Sequence, residues 1–123
     1  MEIRQKTGNF GERAAQQYLR RRGYLLIALN WRCLVGEIDI IAYHIIRRCL
    51  VFVEVRTRRG DKFGTAEESI TRQKMSHWSG AASTFIDKYQ VNCSVRCDLI
   101  CLDKLDKKEA IWQLRQLKNI LLE

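Results

Sequence analysis

The sequence predicts a single α/β domain in which a mixed four-stranded sheet is flanked by helices, in the order α-β-β-β-α-β. Three observations predict it. Apolar side chains recur at helical spacing near the start of the chain and again after residue 65. Four short stretches rich in branched and aromatic residues read as strands. The first three follow one another closely, as in a meander, whereas a helix separates the third from the fourth, as in a parallel crossover.

The first helix is expected over 10–22, where Phe10, Ala14, Tyr18 and the stem of Arg22 recur every fourth residue, with Thr7 or Asn9 as cap and Gly23 as stop. Tyr24 to Trp31 reads as a buried strand. Gly36 to Ala42 and Cys49 to Arg56 read as an antiparallel pair, although the residues between them, Tyr43 to Arg48, include no Gly, Asn or Asp to make the turn. Thr57 to Gly64 is a basic loop. Ala66, Ile70, Trp78, Ala81, Ala82, Phe85 and Tyr89 then mark a helical face, broken near Ser69 to Thr71, where Thr71 can cap a second helix. Val95 to Leu102 is the fourth strand. Ile111 to Leu122 is amphipathic, and its pattern suits a strand and a helix equally.

A chain of 123 residues, 46% of them hydrophobic, can build one core without staples. Its longest apolar run, Tyr24 to Leu29, is far below the roughly 20 residues needed to cross a bilayer. A soluble, cytoplasmic protein is expected, with no membrane partner. The 5 cysteines are an odd number without framework spacing, so reduced thiols are expected. Cys93, Cys97 and Cys101 lie too far apart for a zinc site, and Cys97 and Cys101 suit one buried face of a strand. His44 and His77 stand without an acidic partner and are assigned to packing or surface roles.

Charge divides the chain more sharply than its net value of +8 suggests. Residues 1–24 carry six basic and two acidic groups and residues 43–62 carry the same numbers, while 25–42 hold one basic and two acidic. Two cationic blocks thus flank an acidic island. Such a pattern favours a polyanion such as nucleic acid, held through its phosphates.

Strand alternation organises the island. Glu37, Asp39 and Ile41 share one side of their strand, and Ile38, Ile40 and Ala42 are expected on the other, against the core. On the next strand Leu50, Phe52, Glu54 and Arg56 share a face. Pairing these strands brings Asp39 and Glu54 to about 5 Å between backbones. Half-buried carboxylates so close need a compensating cation. Periodicity leaves two compensators open: Mg²⁺, which accepts one or two carboxylates, and Arg56 within a plain salt-bridge ladder.

Gly8-Asn9-Phe10-Gly11-Glu12 with Ala15, Tyr18-Leu19 and Gly23-Tyr24 resembles the opening of the YraN-type family of small bacterial proteins. Asn30-Trp31-Arg32, Gly36-Glu37-Ile38-Asp39-Ile40-Ile41-Ala42, Val51-Phe52-Val53-Glu54-Val55, Arg58, Phe63-Gly64, Lys74 and Arg96-x-Asp98 continue the match in order. The resemblance covers about residues 8–102, leaving 103–123 as a C-terminal extension of one domain. That family is similar to restriction-endonuclease-like nucleases of the PD-(D/E)xK type, Holliday-junction resolvases in particular. The resemblance implies an endonuclease that hydrolyses phosphodiester bonds of structured or branched DNA with Mg²⁺ or Mn²⁺. By it Asp39 and Glu54 are metal ligands, Glu12 is a further ligand or positions water, and Glu37 supports them or a second ion. Junction resolvases are typically dimers, so a homodimer is also implied.

One position departs from the pattern. The motif's Glu-x-Lys is here Glu54-Val55-Arg56, and arginine, always protonated, cannot take a proton. Arg56 is assigned to stabilising charge on the phosphate. Arg20, Arg21 and Arg22, with Arg58, Arg59 and Lys62 in the basic loop and Lys74 on the second helix, are expected to hold backbone phosphates. For Arg20 to Arg22 a solvated helix end is an equal alternative. The competing function is a catalytically inactive nucleic-acid-binding module that keeps the fold but has lost turnover at Arg56.

Overall fold

The computed structural model describes residues 7–58, 67–104 and 111–120. Helix α1, Thr7–Arg21, leads into strand β1, Tyr24–Arg32. The helix starts before Asn9, which therefore lies inside it and is not its cap. Gly23 ends it at φ 89°, a backbone region that glycine enters without strain. Strands β2, Glu37–His44, and β3, Cys49–Arg58, follow. The turn between them closes without the usual turn residues. Arg47 N–H donates to His44 Nδ1 at 3.1 Å, Arg48 N–H donates to the His44 carbonyl at 2.8 Å, and Arg48 itself takes φ 55°. A short 3₁₀ turn, Glu67–Ser69, precedes helix α2, Arg72–Lys88, which Thr71 caps by accepting from Lys74 N–H at 3.0 Å. The expected break before the second helix is thus present.

Strand β4, Ser94–Lys104, runs parallel to β3, and β5, Trp112–Leu117, pairs antiparallel with the far edge of β4. The sheet is five-stranded, in the order β1-β2-β3-β4-β5, and not four-stranded as the sequence predicts. The extra strand comes from the segment whose pattern left strand and helix open. The backbone groups along the far edge of β4 favour the strand, because pairing satisfies them.

Both faces of the sheet are covered. Trp78, Ala81, Ala82 and Phe85 of α2 pack on Ile38, Ile41, Leu50, Phe52, Leu99 and Cys101. Ala15 and Leu19 of α1 pack on Ile40, Ala42, Val51, Val53, Ile100 and Leu102. Burying each large apolar side chain contributes about 1.5–3 kcal/mol, so the two layers hold the sheet between them. The expected grouping of Ile38 with Ile40 and Ala42 is corrected: Ile38 joins Ile41 on the α2 side, and alternation breaks around Asp39. The expectation that only one face is core is corrected too, since Ile41 is fully buried. All five cysteines are free, with Cys97 and Cys101 turned to the α2 side.

At the outer edge of the sheet β1 carries a bulge between Leu26 and Ala28, which breaks its register with β2. The loop joining these strands lies against α2, where Gly36 meets the helix backbone. A Cβ on Gly36 would stand 2.9 Å from the His77 carbonyl oxygen, and backbone cannot swing aside as a side chain would. Gly36→Ala is expected to lower stability by about 1–3 kcal/mol, measured by urea unfolding. Among the described residues no helix is long and apolar enough to cross a membrane.

Candidate active site

The β2–β3 ladder runs from His44↔Cys49 to Ile40↔Val53 and stops there, although the same register would next place Asp39 opposite Glu54. β3 meanwhile stays fully paired with β4 on its other side. In the gap Val55 N–H donates to Asp39 Oδ2 at 2.8 Å, so a side chain replaces the missing ladder carbonyl and fixes the carboxylate. Asp39 is 7% exposed and Glu54 2%. The sheet therefore holds two buried carboxylates where two of its strands part.

Cations approach from the α2 side. Lys74 Nζ lies 3.4 Å and Arg56 Nη1 3.8 Å from Glu54 Oε2. The Arg56 guanidinium is restrained, because its Nε donates to Ser69 Oγ at 3.1 Å. Glu54 Oε1 is buried and has no hydrogen-bond partner among the described residues. Burial, and then the Asp39 charge, push Glu54 up to about 7, against the pull of Lys74 and Arg56. Asp39 is also raised, chiefly by burial, while the Val55 amide and Lys74 act against the rise.

Glu12 reaches the same region from α1. Gly11 makes this approach close, since a Cβ there would collide with Thr57 Oγ1 on β3. Burial and the nearby Asp39 charge raise the Glu12 carboxyl, and a hydrogen bond with the Asn30 side chain opposes them. Asn30 sits at φ 51°, a left-handed conformation that asparagine tolerates. Glu37 is paired with Arg32, Nε to Oε1 3.0 Å, and its charge is felt by both Glu12 and Asp39. A cavity of about 350 Å³ opens beside this pair, lined by Arg32, Cys33, Gly36, Glu37, Lys74 and His77.

The structure thus brings together Glu12, Glu37, Asp39, Glu54, Arg56 and Lys74. It sets Arg20, Arg21 and Arg22 apart, at the opposite end of α1, eight or more residues from Glu12 and so about 12 Å along the helix. There Arg22 stacks on Tyr18 at 4.4 Å, beside a separate cavity lined by Arg21 and Arg22. Arg58 lies at the end of β3, aligned with Asp103. Arg59 and Lys62 lie outside the described residues. Asp98 faces away from the site: it accepts from Arg96, Gln116 and the Asn119 amide, while Tyr24 Oη joins Arg96 and Gln116. Sequence reasoning missed Asn30 and Ser69 as supports. The only local signal for Asn30 was its place in the Asn-Trp-Arg motif, and Ser69 gave none.

Among the described residues no three His, Cys, Asp or Glu side chains form a ready-made metal cage. A hard divalent cation does not need one, because Mg²⁺ commonly takes one or two carboxylates and completes its shell with water and phosphate oxygens. The all-oxygen donors of Asp39 and Glu54, and the orphaned Oε1, fit such an ion.

Residues 11–102 match the model of the uncharacterised protein family UPF0102. A UPF0102 protein of Roseiflexus castenholzii is 44% identical over 101 residues, 80% of each chain. One from Caldicellulosiruptor saccharolyticus is 36% identical, covering 94% of this chain and 97% of its own. A third, from Dehalococcoides mccartyi, is 38% identical, covering 98% of this chain and 96% of its own. With a family model spanning most of its length and relatives matched nearly end to end, the chain belongs to the UPF0102, or YraN-type, family.

Proposed function

We propose that this protein is a metal-dependent endonuclease that hydrolyses phosphodiester bonds in structured or branched DNA. The observation that carries the reading is the buried Asp39–Glu54 pair, with Oε1 of Glu54 left without a partner where β2 and β3 part. Leaving both carboxylates buried and ionised is costly, and a fold accepts such a cost at a site with work to do. Bound there, Mg²⁺ or Mn²⁺ would supply charge neutralisation at the phosphate and a more acidic water. Asp39 and Glu54 would hold the ion. Glu12, on the opposite wall, would orient water. Arg56 and Lys74 would meet the phosphate, and the cavity reaching Arg32 and His77 would take the flanking strand.

The second reading is a nucleic-acid-binding module without turnover. It is favoured by the Arg56 guanidinium, which occupies the motif lysine's place and is tied to Ser69. Both readings expect salt-sensitive DNA binding, and only the first expects cutting. The test is a panel of single-stranded, duplex, flap and four-way-junction DNA with Mg²⁺ or Mn²⁺. Wild type is expected to cut, and Glu54→Ala to lose at least about a hundredfold in rate. Binding without cutting by wild type, under every condition, would establish the module instead.

A further inference from the structure

We infer that Lys74, reaching in from α2, supplies the ammonium that the motif position on β3 lacks, and that it holds the attacking water and a scissile phosphate oxygen in place during cleavage. The inference rests on the proposed nuclease reading and names a residue for it. Three observations converge. Lys74 Nζ is the nearer of the two cations at Glu54 Oε2, at 3.4 Å against 3.8 Å for Arg56. The two side chains are similarly exposed, but the Arg56 guanidinium is bonded to Ser69, whereas Lys74 lines the cavity beside the site and Arg56 does not. The Lys74 backbone is fixed, because its amide is bonded to the Thr71 cap, so the long stem swings from a rigid base.

The chemistry follows from shape. An ammonium is a compact charge with three donors on a flexible stem, and it can bond a carboxylate, a water and a phosphate oxygen at once. A guanidinium restrained by a hydroxyl has less freedom to do so. In the step itself the water oxygen forms the new P–O bond as the bond from phosphorus to the leaving sugar oxygen breaks. The proton lost by the water passes to solvent, and the leaving oxygen takes one from solvent. Lys74 stays charged throughout and acts by position.

The test compares Lys74→Met, Lys74→Arg and Arg56→Met on a cleaved junction substrate, with Mn²⁺ binding followed in parallel by thermal shift. Lys74→Met is expected to lose about a hundredfold or more in kcat, with KM and the Mn²⁺ midpoint within about threefold of wild type. Lys74→Arg should recover at least about a tenth of the activity, and Arg56→Met should fall by less than about tenfold. The assignment to Lys74 is overturned if Lys74→Met keeps more than about a third of wild-type kcat, or if its loss lies wholly in KM or Mn²⁺ affinity. Failure of wild type to cut any substrate overturns the nuclease reading, and the inference with it; that result is read in the wild-type control and not in the variants.

Discussion

Glu54→Gln is expected to make the metal-free protein more stable at pH 8 while abolishing its stabilisation by divalent cations. In the folded chain Glu54 is pushed from 4.5 up to about 7. Below pH 4.5 the group is protonated whether folded or unfolded and costs nothing. As pH rises through the window to about 7, the unfolded chain releases a proton that the folded chain retains, so stability falls and stays low above it. At about 1.4 kcal/mol per pH unit the penalty is on the order of 3 kcal/mol. Glutamine removes the charge and with it most of that slope. An excess of Mg²⁺ or Mn²⁺ at a hundred times Kd should return about 2.7 kcal/mol to wild type and nothing to the variant. Thermal unfolding at pH 5 and pH 8, with and without the ion, checks both halves. Equal stabilisation of the two proteins by the ion would place its binding elsewhere.

Asp98→Ala should unfold the protein more readily than any change at the candidate site. Asp98 is fully buried and binds Arg96 twice, at 2.9 and 3.0 Å, besides the Gln116 side chain at 2.8 Å and the Asn119 amide at 3.0 Å. Arg96 is itself only 13% exposed, so truncation leaves a guanidinium largely out of water without its counter-charge. Removing one partner of such a pair costs about 3–5 kcal/mol, a large share of the 5–15 kcal/mol that typically separates folded from unfolded. The same carboxylate ties the end of β5 to β4, so β5 should loosen first. Urea unfolding gives the magnitude, and hydrogen exchange over 112–117 gives the place. Asp98→Asn, which keeps the shape and part of the bonding, should lose less.

The two readable layers of the sequence were the strand faces and the helix periods. Alternation along β3 correctly set Leu50, Phe52, Glu54 and Arg56 on one side, and the register of β2 with β3 points Asp39 at Glu54. It failed at Ile38, because alternation presumes an unbroken strand and the strand departs from its regular path where Asp39 turns to the Val55 amide. β5 was unreadable for another reason. Ile111, Leu114, Leu117 and Ile120 recur every third residue, and only the unpaired edge of β4 decides in favour of a strand. The approach of Lys74 to Glu54 and the bonds from Tyr24 to Arg96 and Gln116 join residues 20 to 92 positions apart. They depend on how a helix or a strand end lies across the sheet, which no local pattern records.

The bond from Val55 to Asp39 makes one backbone amide a reporter of the site. Most amides in the central strands face carbonyls whose character never changes, whereas this one faces a group that gains a proton or a cation. In a two-dimensional nitrogen–proton spectrum the Val55 resonance should move with pH and with added divalent ion, together with those of Glu54 and Arg56 beside it, while amides farther along β3, such as Leu50 and Val51, stay still. The protein thereby carries its own occupancy signal, readable without substrate and without a label in the site.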